Sequence, residues 1–315
     1  MLHPWIKRLA IITCIGMFLV VLAGAVVTQT ESGEGCGTDW PLCHGEFIPA
    51  YTIESMIEYS HRLVTGIVGL MVLATFIAVM VKVRRKDAKL YAASTLFFTL
   101  LQAIMGALAV KYETSSLVMA LHFGFSLLAF ASTLLLVLVM YRTHLPIHPS
   151  GWGEKWVAGQ TVSGRFRLLI WSTLIYTYIV VYLGAYVRHT DSGAGCGRDW
   201  PLCNGQVIPD FEDGAGIAFV HRLGALLLFV LVAWLAHVSF WHYRHISLFR
   251  KSAIALIVLI TTQVLSGALV VYSLNDENLY LFAGLFHTVI ICVLFSILCY
   301  ISIMAWFMRR NRDAA

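Results

Sequence analysis

Charge is scarce in this chain. Of 315 residues only 12% are Asp, Glu, Lys or Arg, whereas 59% are hydrophobic. A soluble domain carries about twice that share of charge, so the composition excludes one and points to a polytopic membrane protein. The net charge is only +5, and its distribution along the chain accounts for it better than a nucleic-acid surface would; no nucleic acid is expected as a partner. The sequence also lacks low-complexity tracts. It lacks the close C-x2–4-C spacing of a zinc knuckle too, since its paired cysteines have six residues between them.

Long apolar runs are what it does have. Eight lie at roughly 9–29, 57–81, 90–111, 117–141, 167–187, 215–241, 252–273 and 280–307. Each has about 20 residues or more, enough to cross a hydrocarbon core of roughly 30 Å. The basic residues sort by side. Lys7, Arg8, Lys82, Arg84, Arg85, Lys86, Lys89, Arg142, Lys155, Arg165, Arg167, Arg244, Arg250, Lys251, Arg309, Arg310 and Arg312 fall on one face. Lys111, Arg188, Arg198, Arg62 and Arg222 fall toward the other. The positive-inside rule then places both termini in the cytoplasm. Lys7, Arg8 and the Ala23-Gly24-Ala25 that follows the first run also resemble a cleavable signal peptide. The length of that run, and its internal partner at 167–187, favour a membrane span.

The chain repeats itself. Residues 24–63 and 184–223 align without a gap at an offset of 160. The shared core, T-x-S-G-x-G-C-G-x-D-W-P-L-C-x-G, runs from Thr30 to Gly45 and from Thr190 to Gly205, and both copies continue to His-Arg-Leu at His61 and His221. Gln102-x-x-x-Gly106-Ala107-Leu108 matches Gln263-x-x-x-Gly267-Ala268-Leu269, and a further histidine follows each, His122 and His287. The expected organisation is an all-α protein of eight transmembrane helices in two pseudo-symmetric four-helix halves. The N-terminal half spans 1–141 and the C-terminal half 167–315, with an irregular cytoplasmic linker at 142–166. Four spans return the chain to its starting side, so the halves have parallel topology about an axis along the membrane normal.

Four of the seven cysteines lie in the two outward loops, as Cys36 with Cys43 and Cys196 with Cys203. In an oxidising medium each pair reads as a disulfide, with zinc ligation the weaker alternative. Whether the first pair cycles or both are staples is open at this point. Cys14, Cys292 and Cys299 fall in spans and read as packing residues.

His61, His122, His221 and His287 sit near the outer ends of the even-numbered spans, within roughly 10 Å of the surface at 1.5 Å per residue. Polar groups in a bilayer are costly and usually functional. Two imidazoles at one depth on different helices suit the two axial positions of a haem iron, giving one site per half. His3, His144, His148, His237, His242 and His245 lie toward the cytoplasmic side, and His44 and His189 are outward but unrepeated. Arg62 and Arg222 directly follow a proposed ligand and suit haem propionates, the bland alternative being interfacial snorkelling. Gln102 and Gln263 either bond across helices or line a haem pocket. Gly106 and Gly267 let something bulky approach the backbone. The symmetry breaks at Glu58, one helical turn before His61, where the second half has Ala218. A carboxylate there can handle protons, position water or stabilise a developing cation, unless it is only an interfacial acid exposed to water.

Together these residues resemble the heme A synthase family, over nearly the whole chain. The resemblance rests on the repeated cysteine loop, Glu58-x-x-His61-Arg62, His122, the segment from Gly184 to Thr190, His221-Arg222 and His287. It looks like the bacterial type with a cysteine pair in the first outward loop; the second loop is unusually like the first. The resemblance implies an oxidoreductase that converts the C8 methyl of heme O to a formyl group for terminal oxidases. An alcohol stage intervenes, and water supplies the oxygen. His61, His122 and Arg62 would hold heme O as substrate. His221, His287 and Arg222 would hold a heme b cofactor, which passes electrons to a membrane acceptor. The protein would lie in a bacterial plasma membrane with its haem sites toward the outer face. A heme O synthase and a second copy of the chain are further candidate partners. The rival reading is a diheme b-type, quinol-linked electron carrier without haem modification. A haem exporter fits less well, because all four histidines lie on one side.

Overall fold

The computed structural model describes residues 4–47, 52–112, 114–142, 160–212 and 214–308. These residues form eight long helices: α1 (Pro4–Gln29), α2 (Ile53–Lys82), α3 (Lys86–Lys111), α4 (Ser116–Tyr141), α5 (Gly164–His189), α6 (Ala215–Trp241), α7 (Ser247–Tyr272) and α8 (Glu277–Phe307). All eight are long and apolar enough to cross a membrane, and the chain is a multi-pass membrane protein. The apolar runs located every one of them. Several begin three to five residues earlier than the apolar run does, since the helix continues into polar sequence at the interface. Thus α1 takes in Lys7 and Arg8, and α7 takes in Arg250 and Lys251.

Local chemistry sets several starts. Thr52 accepts a hydrogen bond from the Ser55 N–H at 3.2 Å, Ser163 from Phe166 at 3.1 Å and Asp276 from Leu279 at 3.0 Å. Each satisfies an N–H that a first helical turn leaves open. With Ser163 as cap, Gly164, Arg165 and Phe166 form the first turn of α5. Linker residues 143–159, with His144, His148 and Lys155, lie outside the described residues. So do His3, Arg309, Arg310 and Arg312.

The halves meet through α1 and α4 on one side and α5 and α8 on the other. Burial agrees: half or more of the apolar stretch of α4 and of α8 is inside the protein, against 11% for α3. The peripheral helices α2, α3, α6 and α7 face outward with leucine, isoleucine and phenylalanine, as lipid-exposed surfaces require. The seam exchanges equivalent pairs. Helix α1 meets α8 as α5 meets α4, the relation a twofold duplication demands.

A few polar ties cross between helices. Thr13 and Thr75 hydroxyls bond at 2.8 Å between α1 and α2, and Thr133 donates to Thr95 at 3.3 Å between α4 and α3. At the start of α3, Arg85 and Asp87 form a buried ion pair at 2.6 Å. Across the seam, Arg188 donates to the Thr28 carbonyl at 2.6 Å and to Glu31 at 3.3 Å.

The two cysteine-bearing loops are copies in space as well. Each has a one-turn 3-10 segment, Ser32–Glu34 or Ser192–Ala194. Each has a cis Trp-Pro bond, Trp40–Pro41 or Trp200–Pro201. Each closes a disulfide, Cys36–Cys43 or Cys196–Cys203, as the cysteine spacing led us to expect. His44 and Asn204 share a left-handed backbone and a task, bonding the Gly35 and Gly195 carbonyls at 3.1 and 3.0 Å. His44 is therefore repeated in role although not in residue type. Gly35 and Gly195 press so closely on the starts of α2 and α6 that a Cβ on either would stand 2.5 Å from backbone carbon.

Candidate functional site

A cavity of about 2360 Å³ runs beneath these loops and reaches into both halves. A single organic ligand usually occupies about 300–1,000 Å³, so this space suits more than one. All four histidines expected as ligands line it. His61 and His122 are near enough to interact electrostatically, as are His221 and His287. The rings thus pair within halves.

Each imidazole is seated against a glycine of a neighbouring helix. Extended by a Cβ, Gly24 on α1 would meet His61 Cε1 at 3.3 Å, and Gly184 on α5 would meet His221 Cε1 at 2.8 Å. The same construction on α3 and α7 puts Gly106 3.5 Å from His122 Cε1 and Gly267 3.3 Å from His287 Cε1. The bulky group these glycines admit is therefore the histidine ring itself. The Nδ1 atoms of His61, His122 and His221 are buried without a partner among the described residues. Such orphaned ring nitrogens, on paired imidazoles in an apolar cavity, fit axial ligation of an iron whose other positions a porphyrin fills.

The polar groups around the pairs differ between the halves. Glu58 on α2 is buried, at 3% exposure, and lines the cavity. It is not the water-exposed acid that its place at the helix mouth allowed. Its Oε2 accepts from the Cys36 backbone N–H at 2.8 Å, and its Oε1 pairs with Arg62 one turn on. Arg62 Nη1 also donates to the carbonyls of Asp39 and Leu42, both at 2.6 Å. The disulfide loop, the arginine and the carboxylate are thus one bonded unit. In the second half Arg222 Nη1 holds the Asp199 and Leu202 carbonyls at 2.8 and 2.5 Å in the same way. Ala218 replaces the carboxylate, and the second loop rests on α6 through Cys196, Cys203, Ala215 and Ala218. Both arginines were singled out for haem propionates; each already clamps its own loop to its own helix.

The glutamines diverge as well. Gln263 Nε2 lies 2.9 Å from His287 Nε2, whereas Gln102 donates to the His122 carbonyl at 3.4 Å. The walls differ in bulk. Gly66 and Gly69 of α2 line the cavity with open space where a Cβ would stand. Their counterparts on α6, which also line it, are Leu226 and Phe229.

Sequence reasoning passed over the seam. His189 lines the cavity at the end of α5, and its repeat partner is Gln29 at the end of α1, also in the lining. Ser116 on α4 donates to the His189 carbonyl at 2.7 Å. Gln29 reaches across to α8, where a Cβ on Gly284 would stand 2.6 Å from its Nε2. The offset of 160 relates the two positions, but unlike residue types hid the match.

Comparison with known proteins identifies the family. Residues 7–299 match the model of the COX15-CtaA family, described as cytochrome oxidase assembly protein. A heme A synthase of Bacillus licheniformis is 41% identical over 311 residues, covering 97% of this chain and 98% of that protein. One from Shouchella clausii is 38% identical, covering 95% and 96%. One from Symbiobacterium thermophilum is 40% identical, covering 90% of each. With a family match over nearly its whole length and relatives this similar end to end, the chain belongs to the COX15-CtaA family of cytochrome oxidase assembly proteins.

Proposed function

We propose that the chain is a heme A synthase whose N-terminal half holds heme O as substrate and whose C-terminal half holds a heme b cofactor. The observation that carries this assignment is the one-sided chemistry of a duplicated site. Among the described residues, a buried carboxylate, Glu58, lines the cavity with the first pair of histidines, and Ala218 stands in its place in the second half. A carrier with two equivalent haems gives no reason for that difference. The bulk of the walls supports the same assignment. Heme O carries a long isoprenoid chain that heme b lacks. Gly66 and Gly69 leave room along α2 where Leu226 and Phe229 fill it along α6.

In this reading His61 and His122 orient the substrate by its iron, and the glycine wall takes its apolar tail. Glu58 stands where a proton must be removed and water placed. The overall change is one methyl and one water to one formyl group, four protons and four electrons. Glu58 is suited to accept protons, and Arg62, bonded to it, aims the carboxylate. Cys36 fixes the other carboxylate oxygen, so the loop excludes water from the charged pair. Heme b, when bound by His221 and His287, supplies one-electron transfer toward a membrane acceptor. Arg222, with Ala218 where Arg62 has Glu58, is the better placed of the two arginines for a haem carboxylate.

The excess of basic residues on one set of loops supports cytoplasmic termini and haem sites toward the outer face of a bacterial plasma membrane. Heme O is too apolar to diffuse through water, which favours delivery from a heme O synthase within the membrane. A homo-oligomer is compatible with the long lipid-facing helices.

Haem extraction and mass analysis of the purified protein, expressed with and without a heme O supply, tests the proposal. Heme b alone in the first case and heme A in the second is the expected result. Two equivalents of heme b and no product, despite ample heme O and an acceptor, would replace it with the electron-carrier reading.

A further inference from the structure

The second histidine of each half is held differently, and the difference bears on which haem stays and which leaves. On α7, Ser266 precedes Gly267, against which the His287 ring is seated. Ser266 is 2% exposed. Its hydroxyl donates to the Gln263 carbonyl at 2.9 Å, and its oxygen lies 2.8 Å from His287 Nδ1. With the hydroxyl hydrogen on the carbonyl, the oxygen is placed to accept from an Nδ1–H. The opposite ring nitrogen agrees. Gln263 Nε2, a donor, stands 2.9 Å from His287 Nε2, which therefore presents a lone pair. The two contacts together accommodate the tautomer protonated at Nδ1, the one whose Nε2 can ligate a metal, and hold the ring from both nitrogens.

The first half has no such lock. Met105 stands at the position of Ser266. The Gln102 amide goes to the His122 backbone rather than to its ring, and His122 Nδ1 is buried with no partner among the described residues. Among the described residues no side chain bonds either nitrogen of the His122 ring, which is held by packing against Gly106.

We infer that Ser266 is a positioning residue that makes His287 a permanent haem ligand, and that Met105 leaves His122 releasable, so that one half retains its haem while the other exchanges it. The inference rests on the assignment of heme b to His221 and His287 made above. An Nδ1–H that donates to a fixed oxygen makes the imidazole more basic and holds its plane, which strengthens ligation and favours the oxidised iron.

The test follows transfer of heme b from the purified holoprotein to excess apomyoglobin, together with the midpoint potential of the bound haem. Ser266→Ala should release heme b about tenfold faster, the lower end of what losing such a partner costs, and its potential should rise. Ser266→Thr, which keeps the hydroxyl, should restore both. Release and potential both unchanged in Ser266→Ala would overturn the inference. Met105→Ser asks the same question from the other side, and decides it should Ser266→Ala not accumulate. Release of haem from the first half should slow about tenfold, and an unchanged rate overturns the inference. His287→Ala separates the two levels of the argument. If it keeps its full heme b, the assignment of His287 as ligand falls. If it loses heme b while Ser266→Ala behaves as wild type, only the role of Ser266 falls.

Discussion

Glu58 Oε2 accepts a hydrogen bond from the backbone N–H of Cys36 at 2.8 Å. A disulfide-bonded cysteine in an outward loop therefore positions a carboxylate on the wall of a membrane cavity. Arg62 completes the arrangement by bonding both the carboxylate and the loop carbonyls of Asp39 and Leu42. Loop and site are mechanically one object in the first half, and the second half keeps only the loop clamp.

Glu58→Gln should separate chemistry from binding. The amide oxygen can still accept from Cys36, and Arg62 keeps a neutral neighbour. Haem content should match wild type, while heme A formation falls 10²- to 10⁴-fold, the usual worth of a positioned acid–base group. Extraction and chromatography of haems from both proteins measures each quantity, and wild-type turnover would remove Glu58 from the reaction. Glu58→Ala is a harsher change. It strands Arg62 in a buried position and should cost about 3–5 kcal/mol of stability.

The histidine pairs should fail independently. His221→Ala or His287→Ala should abolish bound heme b. His61→Ala or His122→Ala should leave heme b in place and abolish heme A formation. Gly184→Ala should behave as a mild His221 variant, because its Cβ would stand 2.8 Å from the His221 ring. Pyridine haemochrome spectra of the purified variants report heme b directly. Loss of heme b in the His61 variant would reverse the assignment of the halves.

Filling the first wall should discriminate against a long-tailed haem. Gly69→Phe gives α2 the residue that α6 has at Phe229. Heme O retention and heme A yield should fall at least tenfold while heme b is unchanged. Equal heme O content in Gly69→Phe and wild type would show that the tail lies elsewhere.

The two disulfides should differ in consequence. Each joins cysteines seven positions apart, and closing so small a loop stabilises by about 2–3 kcal/mol on a chain-entropy account. Replacing Cys36 and Cys43 by serine should lower the melting temperature and also heme A formation, because the Cys36 N–H anchors Glu58. Replacing Cys196 and Cys203 should lower the melting temperature with the smaller effect on activity. Equal activity losses in the two double variants would count against a special role for the first loop.

The fold was legible because the bilayer imposes a simple rule. A stretch of about 20 apolar residues must become a helix to satisfy its backbone, and the exact repeat fixed which helices correspond. The histidine pairs were legible for the same reason, since a polar residue repeated inside an apolar span stands out. Other features escaped. Arg62 and Arg222 read as propionate partners, but the sequence did not show that both also bond loop carbonyls about twenty residues earlier in the chain, or that Arg62 bonds Glu58 as well. No local pattern signals such a contact. His189 looked unrepeated because Gln29, its counterpart, is a different residue type.

Spacing alone thus set the eight spans, the duplication, the four cavity histidines, the cysteine pairs and the lone carboxylate, since each follows from hydropathy, periodicity or direct repetition. Tertiary structure decided what those groups touch. It buried Glu58 between Cys36 and Arg62, opened the wall at Gly66 and Gly69, and gave His287 a serine that His122 lacks. The physical reason is that hydrogen bonds and close packing join residues from different helices, and their partners are chosen by how the eight helices assemble.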